Sequence, residues 1–115
     1  MLFRSFGDAV LAGWRDGTGP LGIGQPLWRL ATASRWLHPK GTRVWGWDTP
    51  SPGASSAGRR FGPQTIGHLG FTGTSLWLDL EAGVAMALLT NRTCPTRDNI
   101  AIRALRPLEI GRAHV

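Results

Sequence analysis

Histidine, serine and cysteine are the side chains with which chemistry could start in these 115 residues. His38, His68 and Cys94 lie far apart in sequence, with no close pair on one helix or hairpin, so no metal site is expected, and no cofactor motif is present. Ser55, Ser56 and Ser75 are the candidate nucleophiles of the loop and strand region, yet none sits in G-x-S-x-G. Pairing Ser75 with His68 would require the two side chains to converge across a hairpin. Tyrosine is absent and Lys40 is the single lysine, so a mechanism that needs a tyrosine acid/base or two lysines cannot be completed by this chain. Cys94 has no second cysteine to bond, which leaves the redox compartment open. Asn91-Arg92-Thr93 fits a glycosylation acceptor, a pattern short enough to arise by chance. Trp45, Trp47 and Trp77 would suit a binding groove, although aromatics at strand spacing more often belong to a core.

The elements that must position these residues follow from periodicity. Leu2, Phe3, Phe6, Ala9, Val10 and Trp14 recur at helical spacing until Gly13, Gly17 and Gly19 end the pattern. Pro26 suits the first turn of a second helix, with Leu27, Leu30 and Ala31 on one side and Trp28 partly on the other. Arg43 to Trp47 reads as a short strand, and Asp48 to Pro63 as a long loop rich in Pro, Gly and Ser. Three strand-like runs follow, 65–70, 74–80 and 84–90, separated by short turns and expected to pair as an antiparallel meander. Alternation in the middle run puts Leu76, Leu78 and Leu80 on one buried face, whereas the unbroken apolar run from Val84 to Leu89 predicts cover on both faces. A closing helix over 96–106 would have Thr96 as its N-cap, Ile100, Ala104 and Leu105 facing inward, and Pro107 as its stop. The expected class is therefore α/β, of the α+β kind: a three-stranded antiparallel meander flanked by N- and C-terminal helices.

Composition narrows the classes. A hydrophobic content of 42 % with six Trp and four Phe excludes a disordered tail, and no apolar run reaches the length of about 18 residues expected of a membrane span. The opening MLFRSFGDAVLAGW lacks the apolar stretch and cleavage site of a secretory signal, and localisation stays open. A net charge of +6 suggests an anionic partner, but the arginines are scattered and only Arg59 and Arg60 are adjacent. A small basic nucleic-acid-binding module is thus the alternative reading, and no nucleic-acid partner is expected under the main one.

The run GHLGFTGTSLWLDLEAGVAMALLTNRTCPTRDN, residues 67–99, resembles the C-terminal part of the serine hydrolases that unite class C β-lactamases, penicillin-binding DD-peptidases and related esterases. Residues 46–63, GWDTPSPGASSAGRRFGP, resemble the segment leading into it, and residues 2–37 resemble, less specifically, the helical region before that. The resemblance implies the β-lactamase/DD-peptidase fold and acyl-enzyme chemistry on esters, amides or β-lactams. In that family one active-site strand carries Lys-Thr-Gly or His-Thr-Gly, and His68-Leu69-Gly70 occupies the position here. It implies a catalytic role for His68, an oxyanion donor in the backbone N–H of Phe71, and substrate contact at Leu69 and Gly70. Leu69 departs from the pattern, because a leucine cannot hydrogen-bond a substrate carboxylate as threonine does; this speaks against β-lactam and D-Ala-D-Ala recognition and favours an esterase or an unspecialised hydrolase.

The family's other catalytic elements are Ser-x-x-Lys and Tyr-x-Asn. Leu37 stands three residues before Lys40 and no tyrosine exists, so neither motif occurs in these residues. The expectation is that residues 1–108 are the C-terminal part of a hydrolase domain, inactive alone, whose partners are the N-terminal part of the same domain and a small-molecule acyl substrate. Residues 109–115, EIGRAHV, read like the translation of a short sequencing adapter and are expected to be a non-native tail.

Overall fold

The computed structural model describes residues 2–33, 35–38, 41–50, 55, 57–58, 60–94 and 96–113. Ser56 and Lys40 fall outside them. Helices α1 (Leu2–Asp16) and α2 (Gln25–Ala33) come first. Strands β1 (Trp36–His38), β2 (Gly41–Val44), β3 (Trp47–Asp48), β4 (Thr65–Leu69), β5 (Ser75–Asp79) and β6 (Val84–Leu88) follow, and α3 (Ile102–Ala113) closes the chain. All six strands lie in one antiparallel sheet in sequence order. The three-stranded meander predicted from residue 65 onward is present as β4–β6, and it is extended by three strands that the sequence suggested only as one. The expected strand over 43–47 is broken by the Trp45-Gly46 turn between Val44 and Trp47, where Gly46 takes φ +77°. Glycine enters that left-handed region without the steric cost a Cβ imposes.

α1 lies across β5 and β6 and buries Ala9, Val10, Leu11 and Trp14. Its Gly7 lets the helix come close: a Cβ there would sit 3.2 Å from both the Ala85 Cβ and a Leu78 methyl. Val10, Leu11, Trp14, Trp28, Val44, Ile66, Leu76, Leu78 and Leu80 form the main core. Phe6, at the margin, stacks on Trp47 with ring centroids 6.0 Å apart.

The last two strands, β5 and β6, exchange the burial expected of them. β5 is buried on both faces, with Leu76, Leu78 and Leu80 against the helices and Trp77 in a second cluster with Ala57, Phe61, Leu69 and Met86. β6, expected to be covered twice, is half-buried and ends the sheet. The long loop explains the difference, because Ala57 and Phe61 return across the face of β5 that alternation had assigned to solvent.

α2 also turns differently from its leucines. Leu27 and Leu30 are exposed, and Trp28 and Thr32 face α1 instead. Trp14 Nε1 donates to Thr32 Oγ1 at 3.1 Å, and the Trp28 ring occupies the space a side chain at Gly13 would need. The Trp14 indole N–H thereby gains a partner and Trp28 fills the gap over Gly13, while the Trp28 Nε1 itself has no partner among the described residues.

α3 begins at Ile102, later than expected. Thr96 Oγ1 accepts from the Asp98 N–H in a local turn, and Asn99 Oδ1 accepts from the Ala101 N–H just before the helix. Ile100, Ala104 and Leu105 are exposed, while Ile102 and Arg106 face inward. Pro107 lies inside the helix and does not stop it; its missing N–H removes the donor that would ordinarily meet the Arg103 carbonyl four residues back. The helix backbone continues through residues 109–113 of the segment expected to be a foreign tail.

Candidate functional site

β4 is paired along its length on one side and only briefly on the other. Five register pairs join it to β5, from Thr65↔Asp79 to Leu69↔Ser75, but β3 pairs with it at one position, Asp48↔Gly67. Antiparallel register then sets Trp47, the other residue of β3, opposite His68, and past His68 no strand among the described residues pairs with that side of β4. Gly67 is required at the junction, since any Cβ there would run into the Trp77 ring. His68 is the first residue past it and is exposed, opposite Leu76. Alternation places His68 on the face of Ile66 and Leu69 on the other face, where Leu69 packs against the cluster of Ala57 and Trp77.

The chain then turns through Gly70–Thr74. Gly70 N–H donates to Thr74 O at 2.8 Å, and Gly73 N–H to Gly70 O at 3.1 Å. Neither glycine tolerates a side chain: a Cβ on Gly70 would strike Thr74 Oγ1, and one on Gly73, where φ is +100°, would strike Thr90 Oγ1. Phe71 is exposed at the tip, with the Arg92 guanidinium 4.4 Å and the Arg97 guanidinium 5.7 Å from its ring centre. Among the described residues, the N–H groups of Phe71 and Thr72 donate no hydrogen bond. The end of β4 thus presents an exposed imidazole, an uncovered strand edge and two undonated amides within five residues of chain.

Arginine is the dominant charge around this end. Arg106, buried in α3, donates from Nη2 to Gly70 O at 3.2 Å and Thr74 O at 3.0 Å. Burial first, and the nearby Arg92 charge second, push the Arg106 guanidinium below its ordinary pKa. Elsewhere Arg29 donates to Trp14 O, Arg35 to Pro63 O, and Arg43 pairs with Asp48 at 2.8 Å. Much of the excess positive charge is therefore spent tying down backbone carbonyls.

The family model described as Beta-lactamase matches residues 12–108. The chain belongs to the β-lactamase family. No curated protein and no solved structure matches it.

In this β-lactamase-family chain the remaining sequence candidates sit away from β4's free end or in structural roles. Ser75 is buried opposite Leu69 in β5, and Ser55 is buried in the long loop, where its hydroxyl accepts the Ala57 N–H at 3.1 Å. Cys94 is exposed and free. Asn91 accepts the Thr93 hydroxyl through Oδ1 at 3.0 Å. No group of three or more His, Cys, Asp or Glu suited to a metal ion occurs among the described residues, and no helix is long and apolar enough to cross a membrane. The β4 strand was legible from its own residues, but Thr90, Arg92 and Arg106, which tie the turn after it, were not. Their distance along the chain from Gly70 hides the contact, and arginine in a sequence with twelve of them carries little signal.

Proposed function

We propose that this chain carries the substrate-facing strand of a serine hydrolase that works through an acyl-enzyme on esters, amides or β-lactams. The observation that carries the reading is the end of β4, where exposed His68 and the Phe71 N–H, which donates no hydrogen bond among the described residues, flank the Leu69–Gly70 stretch past the last residue of β3. On this reading His68 assists proton transfer or holds a substrate anion, and the Phe71 N–H donates to the oxyanion. Gly70 lets the substrate approach the backbone, and Leu69 offers no hydrogen bond there, which favours esters over substrates read through a carboxylate. The nucleophile and its lysine base belong to a Ser-x-x-Lys element outside these 115 residues, as does the Tyr-x-Asn element, so the chain alone forms no acyl-enzyme.

Two preparations test this. An ester or penicillin-like probe applied to the 115-residue chain is expected to label no serine. With the upstream coding region joined to it, one serine should be labelled, and His68→Ala should slow that acylation by about 10²-fold. His68→Lys should retain more rate and flatten the pH profile between about 5 and 8, because lysine stays charged where imidazole ordinarily titrates. An alanine variant that acylates at full rate would return His68 to the role of an ordinary strand residue.

A further inference from the structure

All five carbonyls of the Gly70–Thr74 turn accept a hydrogen bond, and every one of them accepts from a group reaching in from the later chain or across the turn. Arg106 Nη2 holds Gly70 O and Thr74 O, Arg92 Nε holds Phe71 O at 2.6 Å, the Arg92 N–H holds Thr72 O at 2.9 Å, and Thr90 Oγ1 holds Gly73 O at 2.8 Å. Arg92 is itself braced, since its Nη1 donates to Arg97 O and Asn99 O at 2.7 and 2.9 Å. Arg106 is only 7 % exposed, and its Nε has no partner among the described residues, so α3 buries a cation largely to serve these carbonyls.

A trans peptide is planar, with its C=O and the following N–H pointing in opposite directions. Whatever holds the Gly70 carbonyl therefore aims the Phe71 N–H, and whatever holds the Phe71 carbonyl aims the Thr72 N–H. A cationic donor on the carbonyl also polarises the peptide and makes its N–H a stronger donor. We propose that Arg106 is a positioning residue for the oxyanion donor, fixing the Phe71 N–H through the Gly70 carbonyl, with Arg92 bracing the next peptide unit. The proposal rests on the serine-hydrolase reading above. Arg106 touches no reacting atom in it; the residue acts through one peptide group.

The test uses the upstream-extended protein and a chromogenic ester. Arg106→Gln removes the charge and Arg92→Ala removes the brace. Arg106→Gln should lower the acylation kcat by about 10²-fold, as an ångström-scale misplacement of a catalytic group does, while KM moves far less. Arg92→Ala should cost less, about 10-fold, because it acts one peptide further on. Arg92→Lys should recover part of that loss, since lysine can reach a single carbonyl. Amide exchange should quicken at Gly70 and Gly73, whose N–H groups donate within the turn, and stay at the wild-type rate in β5. Arg106→Gln protein with wild-type kcat, or a kcat loss that only tracks a loss of folded protein with exchange quickened throughout β4–β6, overturns the positioning role. Absence of any acyl-enzyme in the wild-type extended protein overturns the hydrolase reading and this role together, whereas a reactive wild type with indifferent arginine variants overturns this role alone.

Discussion

The two ends of the β4–β5 hairpin are held by different forces. At the α1 end, Ile66 and Leu78 are fully buried in a continuous apolar core, and packing of side chains against side chains sets the geometry. At the other end, the Gly70–Thr74 turn projects an exposed Phe71 and is fixed by guanidinium and hydroxyl donors on its carbonyls. Apolar burial stabilises in proportion to area and specifies direction weakly, whereas hydrogen bonds add less net stability and specify direction strongly. The core end is therefore the source of stability, and the turn end is the one whose orientation is specified.

That contrast can be broken at its core end first. Leu78→Ala, at a position with no solvent exposure, should cost about 2–5 kcal/mol through lost transfer energy and the cavity left behind. Urea titration followed by tryptophan fluorescence should show one transition shifted as a whole. A core that melts at the wild-type midpoint would show that Leu78 does not hold the apolar end as its burial implies.

A smaller, local effect is expected at the turn. Thr90→Val keeps the shape and removes the hydroxyl that donates to Gly73 O, at a cost of about 0.5–1.5 kcal/mol. Amide exchange should quicken within residues 70–74 and leave the α1–β5 core unchanged. Global destabilisation as large as that of Leu78→Ala would mean that the turn contributes to the core and does not merely ride on it.

The smallest effect concerns charge at the exposed end of α1. The Thr18 hydroxyl and N–H bond to Asp16 Oδ1 and hold its carboxyl below the ordinary pKa, helped by Arg15. A folded-state pKa below the unfolded value means that the stabilisation is present above the unfolded pKa, about 3.9, and is lost as pH falls through the folded value. The melting temperatures of the wild type and Asp16→Asn should therefore differ most near neutrality and converge under acid. A gap that stays constant with pH would remove Asp16 from the titration.

What the sequence determined by itself was the order and kind of the later elements. Alternating leucines and short glycine turns dictate the β4–β6 meander, because a strand's period and a turn's need for glycine are local properties. The strand that carries His68 and Leu69 was legible for the same reason, a short pattern carried on one element. Tertiary structure alone decided which faces count as inside. Trp28 and Thr32 replaced Leu27 and Leu30 against α1, the long loop covered Trp77, and Arg106 displaced Ala104 and Leu105 on the inner side of α3. Each reversal has one cause: burial is settled by the element that arrives from elsewhere in the chain and by the unsatisfied N–H or C=O groups it must meet, and neither is written in the local pattern.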